Sequence, residues 1–164
     1  MHSPCLLSRL FTPLILASCI LALVHSAGGA PGDLDTSFNG TGKLIGPLNI
    51  DFRNDHAIHQ GAVLQSDGKV ALGGTTQYGS NQAMVILRYT SQGKNDTTWG
   101  VGSRVITPVG PSSEGWAITQ QSDGKLLLGG LSFDGQSNNF ALARYSTNGA
   151  LDKGFGTGGK VTTD

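Results

Sequence analysis

The stretch "QSDGKLLLGG", residues 121–130, repeats "QSDGKVALGG", residues 65–74, with two differences in ten positions. In each copy the Ser-Asp-Gly centre reads as a tight turn. Asp accepts hydrogen bonds from backbone amides ahead of it, and Gly takes positive φ without steric cost. The apolar run after Lys69 or Lys125 reads as a strand leaving that turn. A turn and strand written twice, 56 residues apart, is the mark of a repeat architecture, and the period is settled before any residue is given a role.

The repetition extends well beyond the decapeptide. Laid without a gap, residues 65–108 and 121–164 share 17 of 44 positions, where chance gives only a few. The shared residues include Asp67, Gly68 and Lys69 over Asp123, Gly124 and Lys125, Arg88 and Tyr89 over Arg144 and Tyr145, and Asp96 over Asp152. A third, partial copy lies upstream. "LDTSFNGTGK" at 34–43 matches "LDKGFGTGGK" at 151–160, and "NDTTWGVGSR" at 95–104 is the middle version, with Trp99 in place of Phe38 and Phe155.

Each unit reads as four strands. In the first they fall at 62–65, 69–75, 83–89 and 103–109; in the second, at 117–121, 125–131, 140–145 and 159–163. "AMVIL" at 83–87 is apolar at consecutive positions, the pattern of a strand covered on both faces; a sheet with one wet face alternates. Four-stranded antiparallel units stacked face to face around an axis, the β-propeller arrangement, bury both faces. The pairs Gly73, Gly74 and Gly129, Gly130 fit close backbone approach or a bend in an inner strand. The fold class expected is therefore all-β, with four-stranded antiparallel repeats stacked as partial propeller blades behind an apolar signal helix.

Composition agrees with this reading. Glycine supplies 25 of 164 residues and charge balances at 11 basic against 11 acidic side chains, so nothing points to nucleic acid or an anionic membrane. Residues 1–29 read as a signal peptide: Arg9, an apolar run from Leu10 to Val24, then the small residues of "HSAGGA". That run contains Pro13 and falls short of the roughly 20 residues needed to span a bilayer, so the mature chain is expected to have no membrane span and to be secreted or held in the cell envelope. Both cysteines, Cys5 and Cys19, lie inside the signal, which leaves the exported body without disulfides or thiolate metal sites. "LASC" ending at Cys19 resembles a lipoprotein processing site, but the apolar "ILALV" follows where a polar tether belongs. The remaining segments are a repeat tail plus irregular linker at 30–61, a first repeat at 62–109 and a second at 110–164.

The pattern Q-x-D-G-K, an apolar strand and Gly, A-x-x-R-Y, then L-D-x-x-F-G-x-G-G-K-V resembles the delta-60 repeat of secreted bacterial and some archaeal proteins, a unit similar to β-propeller blades. The resemblance spans most of residues 32–164 and is most specific at 121–164, while residues 44–61 depart from it by about five extra residues. It implies a fold and an exported setting, and carries no catalytic residues with it. Propellers close with about four to eight blades, more than the roughly 135 residues after residue 29 supply. The chain is thus expected to be part of a longer protein, or to associate so that missing blades or another chain complete the ring.

Few residues invite a chemical role. His56 and His59 are spaced as metal ligands on a helix would be, yet they fall in loop or strand without a third ligand. Asp67 and Asp123 serve their turns, a blade apart, and do not converge as acid and base would. Asp96 near Arg88, and Asp152 near Arg144 and Phe155, suggest ion pairs internal to each blade; calcium is the sharper alternative, but no oxygen-ligand loop spacing is complete. "GFGTGG" enters a strand and opens no helix, so it is no dinucleotide loop. Asn39 and Asn95 head formal glycosylation sequons. No cofactor, metal or catalytic residue is implied.

Positions that differ between copies are the better candidates for contact with a partner. "QYGSNQ" (77–82) and "FDGQSNN" (133–139) occupy the same loop of successive units. They offer Tyr78, Asn81 and Gln82, then Phe133, Asp134, Gln136, Asn138 and Asn139, amide and aromatic chemistry suited to glycans or peptide backbones, on a rigid scaffold of the kind that carries function in its loops. The expectation is a non-enzymatic recognition or scaffolding module with an extracellular glycan or protein ligand. Two alternatives stay open: a fragment of a secreted propeller hydrolase or lyase, and the structural stalk of a larger adhesin.

Overall fold

The computed structural model describes residues 30–44 and 61–163. The signal segment with Cys5 and Cys19, and the histidines His56 and His59, lie outside the described residues. Eight strands follow in order: β1 (Gly61–Leu64), β2 (Val70–Tyr78), β3 (Asn81–Tyr89), β4 (Arg104–Thr107), β5 (Ser112–Gln120), β6 (Leu126–Phe133), β7 (Asn138–Tyr145) and β8 (Lys160–Thr163). They form two antiparallel sheets, β1-β2-β3-β4 and β5-β6-β7-β8, each a simple meander. Among the described residues there is no helix. Two such sheets in series are the form of successive propeller blades, here called blade 1 and blade 2.

In each blade the repeated turn joins the first strand to the second. In blade 1 Gly68 N donates to Gln65 O at 2.9 Å and Gln65 N to Lys69 O at 2.8 Å, while Asp67 Oδ1 accepts from Lys69 N at 3.2 Å. Blade 2 repeats these contacts through Gln121, Asp123, Gly124 and Lys125. Gly68 and Gly124 sit at φ 79° and 81°, the left-handed region that costs glycine nothing.

Strand bounds differ from the sequence reading at both hairpin tips and at β5; at the second tip Phe133, Asn138 and Asn139, expected as loop, lie in strands, with Phe133 paired to Asn138. Residues 77–82, expected as a loop, are mostly strand: Gln77 pairs with Gln82 and Tyr78 with Asn81, leaving only Gly79 and Ser80 to turn. Their polarity mimics a loop because this end of the hairpin projects beyond the core. The first strand of blade 2 starts at Ser112, not at 117. "SSEGW" lacks an apolar pattern, yet its first four residues pair with Phe133 back to Gly130, and a bulge at Trp116 follows before pairing resumes at Ala117. Ser113 is buried there and accepts from Val109 N at 3.1 Å.

The core lies between the blades. Ala71, Met84 and Ile86 of blade 1 pack with Leu126, Leu128, Ala141, Ala143 and Tyr145 of blade 2, with Trp99 and Val109 completing the cluster. The sheets approach closely because glycines line the contact. A Cβ on Gly73 would stand 2.7 Å from Leu128 Cδ1, and one on Gly115 would collide with the Gly74 carbonyl. Gly115 N instead donates across the interface to Thr75 Oγ1 at 3.1 Å, and Tyr145 Oη donates to Thr107 Oγ1 at 2.8 Å. Gly73 of the first glycine pair thus serves close approach between the blades, while Gly130 of the second lies against the Glu114 carbonyl of its own blade.

The two blades are not covered alike. Every residue of β3 from Ala83 to Tyr89 is buried, so both faces of blade 1 are covered, whereas β7 alternates between exposed and buried. The apolar run "AMVIL" therefore carries the packing expected of it, while "FALARY" keeps one face in solvent.

Candidate functional site

The signature residues of each blade converge at one end of its sheet, where the Ser-Asp-Gly turn meets the long connection between the third and fourth strands. In blade 1 the buried Arg88 holds the buried Asp96 through Nε at 3.0 Å and Nη2 at 2.9 Å. Lys69 bonds Asp67 at 2.7 Å and stands 3.9 Å from Asp96. Asp96 also caps its own turn, accepting from Thr98 N and Thr98 Oγ1. Burial pushes the Asp96 carboxyl up, but the Thr98 hydrogen bonds and the Arg88 charge outweigh it and hold the group below its ordinary value. Blade 2 repeats the arrangement with Lys125 3.2 Å and Arg144 3.0 Å from Asp152, whose pKa is lowered first by the Lys125 hydrogen bond. Tyr89 and Tyr145 end the third strands beside these pairs, buried in the core. The repeated charges are thus saturated by one another, with no free acid, base or nucleophile among them.

The same connection reaches into the next blade. Arg88 lies 5.1 Å above the Trp99 ring and donates through Nη1 to Thr147 O at 3.3 Å. Trp99 itself is fully buried against Gly149, and Gly100 N donates to Asn148 O at 3.3 Å. The upstream partial copy forms an equivalent contact with blade 1: a Cβ on Gly93 would stand 2.9 Å from the Phe38 ring, and Asn39 N donates to Gln92 O at 2.8 Å. An aromatic residue seated on a glycine of the following blade, with one backbone hydrogen bond beside it, is the repeated inter-blade latch.

The variable positions stand at the opposite end of the sheets. Tyr78 is 53% exposed, with Gln77, Asn81 and the tip Gly79–Ser80 around it. The second tip is pinned by Asp134, which accepts from Gln136 N at 2.7 Å, Ser137 N at 2.8 Å and Asn139 Nδ2 at 3.1 Å. These bonds, led by the backbone amide of Ser137, lower the Asp134 pKa to about 2. Asp134 and Asn139 therefore shape the loop, while Gln136 and Asn138 face outward and Phe133 is half-buried. The two tips are neighbours: Gln82 N donates to Ser112 Oγ at 3.3 Å, and Ser112 pairs with Phe133.

One feature escaped the sequence reading. A groove of about 590 Å³ runs along β4 between the blades, lined by Val101, Val105, Ile106 and Leu151 with Arg104 and Asn148. Val101, 82% exposed, stands where the other full copy has Thr157, and that apolar-for-polar exchange was the available signal. Among the described residues no group of three or more His, Cys, Asp or Glu side chains could hold a metal ion, and no helix is long and apolar enough to cross a membrane.

Residues 65–98 and 121–155 match the model described as "Domain of unknown function (DUF5122) beta-propeller". The chain is similar to a β-propeller repeat family. Each matched segment opens on the Ser-Asp-Gly turn and ends inside the latch connection, so the DUF5122 matches share the period of the structural repeat and span the second and third strands of each blade. No curated protein matches the chain.

Proposed function

We propose that the chain is an exported propeller module of the delta-60 type that works by recognition or scaffolding, without chemistry of its own, and that further blades complete its ring. Export is supported by the apolar run Leu10–Val24 and the small residues after it. The recognition reading is carried by one observation: the two hairpin tips lie side by side through Gln82, Ser112 and Phe133, at the end of the blades where the copies differ most. The charged residues shared between the copies, Asp67, Lys69, Arg88 and Asp96 and their counterparts, are engaged internally in turn and ion pair. A rigid scaffold presenting a patch of tyrosine, amides and exposed backbone suits a glycan or an extended peptide.

The test is a glycan array and a peptide array probed with the purified chain beside Tyr78→Ala and Gln136→Ala variants. Binding to a defined subset, weakened at least about tenfold by either change while circular dichroism stays constant, is expected. Binding that both variants retain in full, or no binding on either array, overturns the recognition reading and leaves scaffolding.

A further inference from the structure

We infer that the outer face of blade 2, together with Phe155, is a docking surface for one more blade of this same repeat, and not for a second copy of the chain. The inference rests on the propeller reading above and deepens it by naming the surface and its occupant.

The interface between the two described blades shows what such a face is built to meet. Blade 1 packs on blade 2 through Ala71, Met84 and Ile86, all fully buried. Their equivalents 56 residues on are Leu127, Phe140 and Leu142. Phe140 is 74% and Leu142 37% exposed. A strand that places phenylalanine and leucine on a solvent face, where the sister strand has the buried Met84 and Ile86, exposes an interface of the same design. Gly129, the counterpart of the contact glycine Gly73, lies in the middle of that face.

The latch is set in the same way. Arg144 lies 4.5 Å above the Phe155 ring, as Arg88 lies above Trp99, and its carboxylate partner Asp152 is in place. Trp99 is fully buried on Gly149, whereas Phe155 is only half-buried. The occupant that fits both features carries a glycine loop like 146–149 and a back face like Leu126, Leu128, Ala141, Ala143 and Tyr145. A second copy does not offer them. Its blade 1 already has Phe38 seated on Gly93, and its corresponding back face, Val85, Leu87 and Tyr89, is already buried.

The test appends a duplicate of residues 108–163 directly after Thr163 and follows thermal unfolding of parent and extended chains, each with and without Phe140→Asp. The extended chain is expected to unfold in one transition at least about 5 °C above the parent. Phe140→Asp removes that gain while leaving the parent within about 2 °C of its own midpoint, and Phe155→Ala removes part of it. An unshifted midpoint, a separate transition for the added segment, or equal effects of Phe140→Asp in both chains overturns the inference. So does a parent that dimerises in sedimentation and is made monomeric by Phe140→Asp, since a second copy is then the occupant. Array binding at the hairpin tips, read on the Phe140→Asp parent, is expected to be unchanged, which separates failure of this inference from failure of the recognition reading.

Discussion

Trp99 closes on Gly149 so tightly that a Cβ at that position would stand 2.8 Å from the indole Cε2 and 3.0 Å from Gly100 N. Gly149 also sits at φ 89°, where a side chain is strained whatever the space around it. Gly149→Ala is therefore expected to lose at least about 2 kcal/mol in chemical denaturation, from backbone strain and overpacking together. Gly93→Ala is expected to lose less. The atoms a new Cβ meets there belong chiefly to the tip of the Phe38 ring, which turns aside more readily than a buried indole flanked by backbone. Equal losses at the two glycines would show that the latches are not graded in this way.

The indole itself is imperfectly satisfied. Trp99 Nε1 is buried without a hydrogen-bond partner, an arrangement that costs about 1–3 kcal/mol. The other two copies carry phenylalanine at this position, Phe38 and Phe155. Trp99→Phe is expected to stay within about 1 kcal/mol of the parent, since relief of the orphaned donor offsets the lost contact area. Trp99→Ala, which leaves a cavity at the blade interface, is expected to cost about 3–5 kcal/mol. Unfolding midpoints in denaturant distinguish the two outcomes, and a large loss for Trp99→Phe would refute the compensation.

Much of the fold was legible because the chain repeats itself. The Ser-Asp-Gly turns, four strands per unit, the close-approach glycines and the Arg-Asp pairs all follow from residues that recur at one period. What sequence missed is what does not recur. The ends of β2 and β3 from Gln77 to Gln82 read as loop because polar side chains beyond the core have no apolar partner to reveal the pairing, yet backbone hydrogen bonds alone carry the ladder there. The start of β5 was hidden for the same reason, with Ser113 and Gly115 buried by close approach and not by hydrophobicity. The exposed Phe140 could not be told from a core phenylalanine in sequence, since the strand pattern "FALARY" is the same whichever face is covered. The groove beside Val101 needed both blades in place before its walls met.

Acid should reveal the ion pair. Asp96 is held below its ordinary value in the folded chain, so the folded state binds fewer protons than the unfolded state around that pH, and stability rises with pH there. The stabilisation is fully present above the unfolded carboxylate value near 3.8 and is lost as pH falls through the lower folded value. Asp96→Asn is expected to flatten this acid limb and, by leaving the buried Arg88 without its counter-charge, to cost about 3 kcal/mol or more at pH 7. Denaturation midpoints between pH 2 and pH 7 provide the check; an unchanged acid limb would mean other carboxylates govern it. Asp134, held at about 2 by the hydrogen bonds of its own loop, adds to the same acid limb by the same linkage, so its resonance is followed separately to set its share apart from that of Asp96.

Ser103 occupies a place that the repeat gives to glycine. Its φ is 74°, and its counterpart Gly159 lies at 93°. A side chain in the left-handed region costs about 1–2 kcal/mol, while glycine's greater freedom in the unfolded chain costs about 0.5–1 kcal/mol. The difference favours glycine. Ser103→Gly is thus expected to gain about 0.5 kcal/mol, a rise of about 1–2 °C in the unfolding midpoint. Its backbone bonds, Ser103 N to Trp99 O at 3.2 Å and Arg88 N to Ser103 O at 2.8 Å, need no side chain and should persist. The reverse exchange, Gly159→Ser, meets a second obstacle, because a Cβ there would stand 2.9 Å from Leu151 Cβ; it should lose more than Ser103→Gly gains. If Ser103→Gly instead destabilises, the buried serine hydroxyl contributes more to blade 1 than the backbone conformation takes from it.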